Sequence, residues 1–458
     1  MKRASPVLLF LVLWLFVFST FSTEARKYGK KHKMHKNKKH KYGDQNNSPD
    51  GAFPTVFSIL SFGAMADGIS DDSKALSAAW KSACNFNGGV VIIPSGFKFL
   101  IKPVTLQGPC MPNLVLQIDG TILAPPEIGS WPKNSLYQWV NFKWVQNFTI
   151  QGTGTADGQG SNWWASSQNN QALRFYASDN VTVRDISIIN SPLCHLKFDN
   201  SKGVQVKNVT IYAPEYSPNT DGIHLQNSQD IEIMHSDIGT GDDCVSIQTG
   251  CSNIHVHHIN CGPGHGISLG GLGKDKSIAC VSNIVVENII MQNTLYGARI
   301  KTWQGGLGSV TNVTFSNIQV SDVKVPITID QYYCDKSVCA NQTEAVAISG
   351  IKFDQIIGTY TSQPIRLACS NSIPCVDVDL VSIELKPSPQ YTSGLDHQGL
   401  CWNSYGNSSG PLVPESMDYC VRSGSEYVKR KPTGLDWALR TIATSCEAHT
   451  LITASTVR

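Results

Sequence analysis

Three short segments of this chain repeat one pattern at a spacing of 22 residues. Gly222-Ile223-His224-Leu225, Cys244-Val245-Ser246-Ile247 and Gly266-Ile267-Ser268-Leu269 each set two aliphatic side chains on either side of a polar one. A turn-like segment precedes each: Asn219-Thr220-Asp221, Gly241-Asp242-Asp243 and Gly264-His265. Alternation within each segment reads as a strand, and the fixed period makes each strand one rung of a stacked solenoid. Adjacent strands lie about 4.7–4.9 Å apart, so equivalent positions on successive rungs form columns. Three carboxylates and a histidine then converge on a patch of about 10 Å.

The same rhythm runs through most of the chain. Rungs begin at Asn180, Gly203, Asp230, Asn253, Asn283, Asn312 and Gly350, with an earlier one at Asn147. Their starts are 23 to 38 residues apart. A four-residue β-segment at this period cannot bury a face alone, but stacked segments share a continuous Val/Ile core. A propeller blade needs about 40–45 residues, longer than most intervals here. The expected fold is all-β: a right-handed parallel β-helix spanning 56–446. One helix is predicted, over Ser73 to Cys84 behind an Asp/Ser N-cap, to close the open N-terminal end of the stack.

The 458-residue chain opens with Lys2 and Arg3, an apolar run of 12 from Val7 to Phe18, and Thr23-Glu24-Ala25. That reads as a secretory signal over 1–25; the run is too short for a span of about 20 residues. A secreted, extracellular protein is expected, with no transmembrane segment after cleavage. Residues 26–55 form a basic segment and linker, with nine Lys/Arg, three His and no acid in 26–42. Without residues 1–42, 26 basic face 34 acidic residues, a balance of −8. The basic segment is either a spacer or pro-segment removed on maturation, or a tether to a polyanion such as an acidic polysaccharide; secretion argues against nucleic acid. Residues 447–458 are a C-terminal tail.

Fourteen cysteines in a chain marked for export predict disulfides, with Cys334/Cys339 and Cys369/Cys375 the closest pairs. No CxxC pair occurs, which argues against zinc. Seven N-x-S/T triplets, at Asn46, Asn147, Asn180, Asn208, Asn312, Asn341 and Asn407, fit a glycoprotein, although some could be rung turns left unmodified.

On the next comparable rung, Tyr296-Gly297-Ala298-Arg299-Ile300-Lys301, Ala298 and Ile300 take the inward places and Arg299 and Lys301 point outward. Turn chemistry explains Asn, Asp and Gly in the motifs, but gives no reason for Arg-x-Lys beside them. Neighbouring carboxylates cannot all ionise freely, so at least one pKa rises, separating an acid from bases. Arg299 and Lys301 suit a substrate carboxylate. The patch by itself predicts hydrolysis of an acidic polysaccharide.

Asn219-Thr220-Asp221, Gly241-Asp242-Asp243, Gly264-His265-Gly266 and Arg299-Ile300-Lys301 resemble, in order, the four signature motifs of the polygalacturonases, glycoside hydrolase family 28. The likeness is densest over 217–304 and looser from Val56 to about Cys446. It implies an inverting hydrolase of α-1,4-linked galacturonan in cell-wall pectin, acting as a monomer without metal or other cofactor. It implies Asp242 as general acid, Asp221 and Asp243 as the groups that activate water, and His265 beside the acid. Asn219, Arg299, Lys301 and Tyr333 would bind substrate, and Cys244–Cys261 would be a bridge. Gly271 departs from the serine usual there. Alternatives are a rhamnogalacturonan or xylogalacturonan hydrolase, a lyase, which would leave the carboxylates without a task, and a non-catalytic pectin-binding wall protein, which would be expected to have lost one of them.

Overall fold

In the computed structural model, the paired strands run parallel to their neighbours, and all but the end strands pair with strands of the coils before and after them. The structure describes residues 55–131, 138–165, 171–334, 339, 342, 344–390, 398–423 and 446. The expected signal, the basic segment, the C-terminal tail and the triplets at Asn46 and Asn341 lie outside the described residues. Among the described residues the strands form two sheets, of 19 and 11 strands, curled into a right-handed parallel β-helix. In the 11-stranded sheet each strand pairs with the next one along the chain, from Val104–Gln107 to Leu400–Trp402.

Register follows from the alternation. Ile223 pairs with Val245, Val245 with Ile267, Ile267 with Ala298 and Ala298 with Ile327. Leu225, Ile247, Leu269, Ile300 and Ile329 form the second inward column, and both columns are buried. A buried aliphatic side chain adds about 1.5–3 kcal/mol, and a one-residue slip would turn every one outward. Aromatic residues stack with the same repeat: Phe142 on Phe175 at 4.9 Å and Phe175 on Phe198 at 4.8 Å.

The rung starts read from the sequence are corners. Asn147, Asn180, Gly203, Asp230, Asn253, Asn283, Asn312 and Gly350 all have φ between 50° and 65°. This left-handed conformation suits Asn, Asp and Gly. Their amides also join coil to coil: Asn253 donates to Asp230 at 2.8 Å, Asn283 to Asn253 at 3.1 Å and Asn312 to Asn283 at 2.8 Å. Four of the seven glycosylation triplets, at Asn147, Asn180, Asn208 and Asn312, stand at such corners.

The helix spans Ser73–Ala83 and buries Ala75, Leu76, Ala79, Trp80 and Ala83 along one face. Trp80 packs on Phe142 and Phe148, so the helix covers the first coils. Its N-terminus differs from the expected Asp/Ser cap. The Asp72 carboxylate turns away from the helix to accept the Met65 and Ala66 N–H groups, while Asp71 accepts the Ser73 N–H at 3.1 Å. Buried Asp72 thus pins the preceding loop instead of the first turn.

Six disulfides brace the stack. Cys334–Cys339, Cys369–Cys375 and Cys244–Cys261 pair as expected. Cys84–Cys110, Cys280–Cys446 and Cys401–Cys420 complete the set, leaving Cys194 and Cys251 buried as free thiols. Among the described residues no helix is long and apolar enough to cross a membrane.

The corner ladder has a measurable consequence. Asn283→Ala, which loses both ladder bonds and tolerance of positive φ, should cost about 1–2 kcal/mol in urea unfolding. Asn283→Gly should cost clearly less. Equal losses would contradict a conformational role for the corner.

Candidate active site

The motif turns are fastened to one another before any catalytic side chain is placed. The Thr220 hydroxyl donates to the Ser217 carbonyl at 2.9 Å and accepts the Gly241 N–H at 3.0 Å, joining the first motif to the second. His265 N–H donates to the Asp242 carbonyl at 2.8 Å, joining the second to the third. Gly241 has no room for a side chain, since a Cβ would lie 1.9 Å from the Ser217 carbonyl oxygen. The Cys244–Cys261 bridge sits directly behind the Asp242-Asp243 turn.

Each carboxylate has its own partner. Asp221 Oδ2 lies 2.8 Å from His224 Nδ1. Asp242 Oδ1 lies 2.9 Å from His265 Nδ1 and also accepts the Asp243 N–H at 2.8 Å. Asp243 is buried, with Oδ1 taking the Ser268 hydroxyl at 2.7 Å and the Arg299 guanidinium at 2.5 Å, and Oδ2 the Lys301 ammonium at 2.9 Å.

These surroundings separate the three acids. Burial works against charge on Asp243, but Arg299 and then Lys301 outweigh it and bring its pKa down to about 2. Burial and then the Asp242 charge raise Asp221, with His224 opposing. The raised group is therefore Asp221, by burial first and the Asp242 charge second, and not the residue that the resemblance makes the acid.

Arg299 and Lys301 are not the open cations that the sequence suggested. Both are buried and bonded to Asp243. Arg299 also donates Nε–H to Ser268 at 2.8 Å and lies over the Tyr296 ring at 4.2 Å. Two cations face one anion, so the trio keeps one surplus positive charge at the site. Asn219 is exposed, at φ 56°. Tyr333 is half-buried, 5.5 Å from Lys301 Nζ and edge-on to Trp303 at 5.3 Å. Gly271, the departure from the family pattern, gives these rings their space: a Cβ there would lie 2.7 Å from Trp303 Nε1 and 3.0 Å from Tyr333.

Several site residues escaped the sequence reading. His224 and Ser268 share the outward column with Arg299, and the period alone does not reveal their partners, Asp221 and Asp243. His195, fully buried, lies beneath the first motif. Its Nδ1 lies 3.1 Å from the Asp221 carbonyl oxygen, and its Nε2 lies 3.2 Å from the Tyr212 carbonyl oxygen and 3.3 Å from the Ser191 N. Burial lowers its pKa to about 4, which keeps that imidazole neutral. Asp242, Asp243 and His265 bring ligand atoms within 4.8 Å of one another. Arg299 and Lys301 already occupy Asp243, and their charge opposes a metal cation there.

Known proteins resemble this chain in sequence and in fold. The sequence model of the glycosyl hydrolases family 28 matches residues 87–398. A probable polygalacturonase of Arabidopsis thaliana is 40% identical over 369 residues, 78% of this chain and 82% of that one. A solved polygalacturonase from Erwinia carotovora ssp. carotovora superposes with a TM-score of 0.64 at 25% identity, covering 80% of this chain and all of that one. An endo-xylogalacturonan hydrolase from Aspergillus tubingensis, at 22% identity and a TM-score of 0.68 over 78% of this chain and all of that one, shares the fold. This chain belongs to glycosyl hydrolase family 28.

The buried trio predicts a large stability effect. Asp243→Asn leaves two buried cations without their anion and should cost about 3–5 kcal/mol in urea unfolding. The sign with pH follows from the depressed pKa. The contribution of Asp243 is complete above its ordinary value of 3.8 and is lost as pH falls toward about 2. The stability gap between the parent and Asp243→Asn should therefore narrow over that window.

Proposed function

We propose that this chain hydrolyses α-1,4-linked galacturonan, the backbone of cell-wall pectin, with inversion at the anomeric carbon. The observation that carries the reading is the division of three carboxylates among three different partners on adjacent rungs of a family 28 chain. Relatives named polygalacturonases support the substrate class.

In this mechanism Asp242 donates its proton to the glycosidic oxygen as the bond to the anomeric carbon breaks. Its Oδ1 is occupied by His265 and the Asp243 N–H, so Oδ2 carries the proton. Water attacks the opposite face of the sugar and gives its proton to a carboxylate. Asp243 is a poor base, since both its oxygens already accept and its pKa lies near 2. Asp221 is the better base: its pKa is raised, and one oxygen faces His224 while the other is left for water. Asp243 acts instead as a fixed anion that orders Arg299 and Lys301. The surplus positive charge of that trio receives the galacturonate carboxylate, with Asn219 and Tyr333 at its margins. His265 keeps Asp242 in its pose. The place of action is the cell wall, reached by secretion, and the basic segment 26–42 holds acidic polysaccharide near the enzyme.

Digestion of de-esterified polygalacturonate tests the activity. Reducing ends should appear, and Asp242→Asn should lose at least about 10³-fold in kcat. Unchanged turnover in that variant would remove Asp242 as the acid. A pH profile tests the base. The acidic limb reports protonation of Asp221 and should lie above the ordinary carboxylate value of 3.8. His224 lowers the Asp221 pKa, so His224→Gln should move that limb to higher pH. A limb that stays in place would exclude Asp221.

A further inference from the structure

Four histidines and two glutamates meet on the outer surface of the 19-stranded sheet, whereas the motif strands carrying His224, Ser268, Arg299 and Lys301 belong to the 11-stranded one. They come from the strands Gln229–Gly239, Cys251–Cys261 and Ile278–Gln292, where His257 pairs with Met234 on one side and Glu287 on the other. His235 and His258 occupy corners at φ 48° and 54°. On nearby coils the same corner column holds Asp185, Asn208, Asn288 and Asn317, with amide bonds from Asn208 to Asp185 and from Asn317 to Asn288. Two successive imidazoles thus replace the amide ladder.

Their nitrogens converge. His257 Nδ1 lies 2.8 Å from His258 Nδ1, and ligand atoms of His235, His257 and His258 all lie within 4.8 Å of one another. Glu232 Oε1 lies 3.3 Å from His257 Nε2, and Glu232 is itself held by Gln205 at 2.9 Å. An ionised carboxylate can only accept, so the His257 proton sits on Nε2 and the Nδ1 lone pair faces its neighbours. A carboxylate behind the far nitrogen is the arrangement that orients metal-binding histidines and raises their basicity. Tetrahedral zinc with bonds of about 2.0–2.1 Å sets its nitrogens about 3.3 Å apart, which small ring rotations reach from here.

We propose that His235, His257 and His258 form a binding site for one divalent transition-metal ion of the imidazole-preferring class, Zn2+ or Cu2+, with Glu232 orienting His257. Exposed His258 takes the tautomer with its proton on Nε2. The ion ties two adjacent coils together on a face away from the candidate catalytic groups. Its role is to staple the stack, and it takes no part in hydrolysis.

Calorimetric titration of the full chain with Zn2+ at about pH 7.5 tests this, above the ordinary histidine pKa. The histidines of the 26–42 segment and the Asp242–Asp243–His265 group are competing sites, so the readout is the difference between variants. His235→Asn/His258→Asn restores the residue type of neighbouring corners and should fold. It should lose one equivalent of Zn2+ and the Zn2+-induced rise in melting temperature, with turnover of polygalacturonate unchanged. Glu232→Gln should keep the stoichiometry and weaken binding about 10–100-fold. An unchanged stoichiometry in the double variant, or no binding by the parent, would overturn the site. Should the double variant fail to fold, parent affinity in Glu232→Gln would overturn it equally.

Discussion

Everything in this molecule depends on parallel pairing of one coil with the next in fixed register. The strand spacing turns a linear repeat into columns, and a column decides what any residue can touch. Inward columns hold Ile223, Val245, Ile267, Ala298 and Ile327. The outward column beside them holds His224, Ser246, Ser268, Arg299 and Thr328. Corners in left-handed conformation recur from coil to coil. The carboxylates stand in turns that lead directly into these strands and are hydrogen-bonded to one another, which is the fixed placement that preorganised catalysis requires.

Within that frame, charge pairing gives three chemically equal carboxylates three different environments. Asp243 meets two cations and a hydroxyl, and stays ionised far below the usual range. Asp221 meets one imidazole and the field of Asp242, and moves the other way. Asp242 meets His265 and a backbone N–H, and keeps one oxygen outside those bonds. The buried trio costs desolvation, but it also fixes Arg299 and Lys301 in one geometry and leaves a net positive charge. An acidic sugar is the ligand that such a surplus favours.

Much of this was legible in the sequence because it depends on period and residue type. The Asn/Gly/Asp rung starts proved to be the corner column, and the alternation in Ala298-Arg299-Ile300 gave its facing correctly. What could not be read was side-chain reach between coils. Arg299 and Lys301 were expected to await a substrate, yet the nearest carboxylate is Asp243 on an earlier coil. Thr220 stands in a turn, and its hydroxyl bridges two motifs. Asp72 has the right type for a helix cap, but burial directs it to the preceding loop. The grouping of His257 and His258 with His235 and Glu232 is another case, because the last two are supplied by the coil before.

The most direct test of the account is the anomeric configuration of the first product, followed by proton NMR during rapid digestion of α-linked oligogalacturonate. Separate acid and base groups acting across a water molecule require inversion, so the β-anomer should appear first and the α-anomer only later, by mutarotation. First release of the α-anomer would mean retention through a covalent intermediate, and would contradict the division of Asp221, Asp242 and Asp243 derived from their partners.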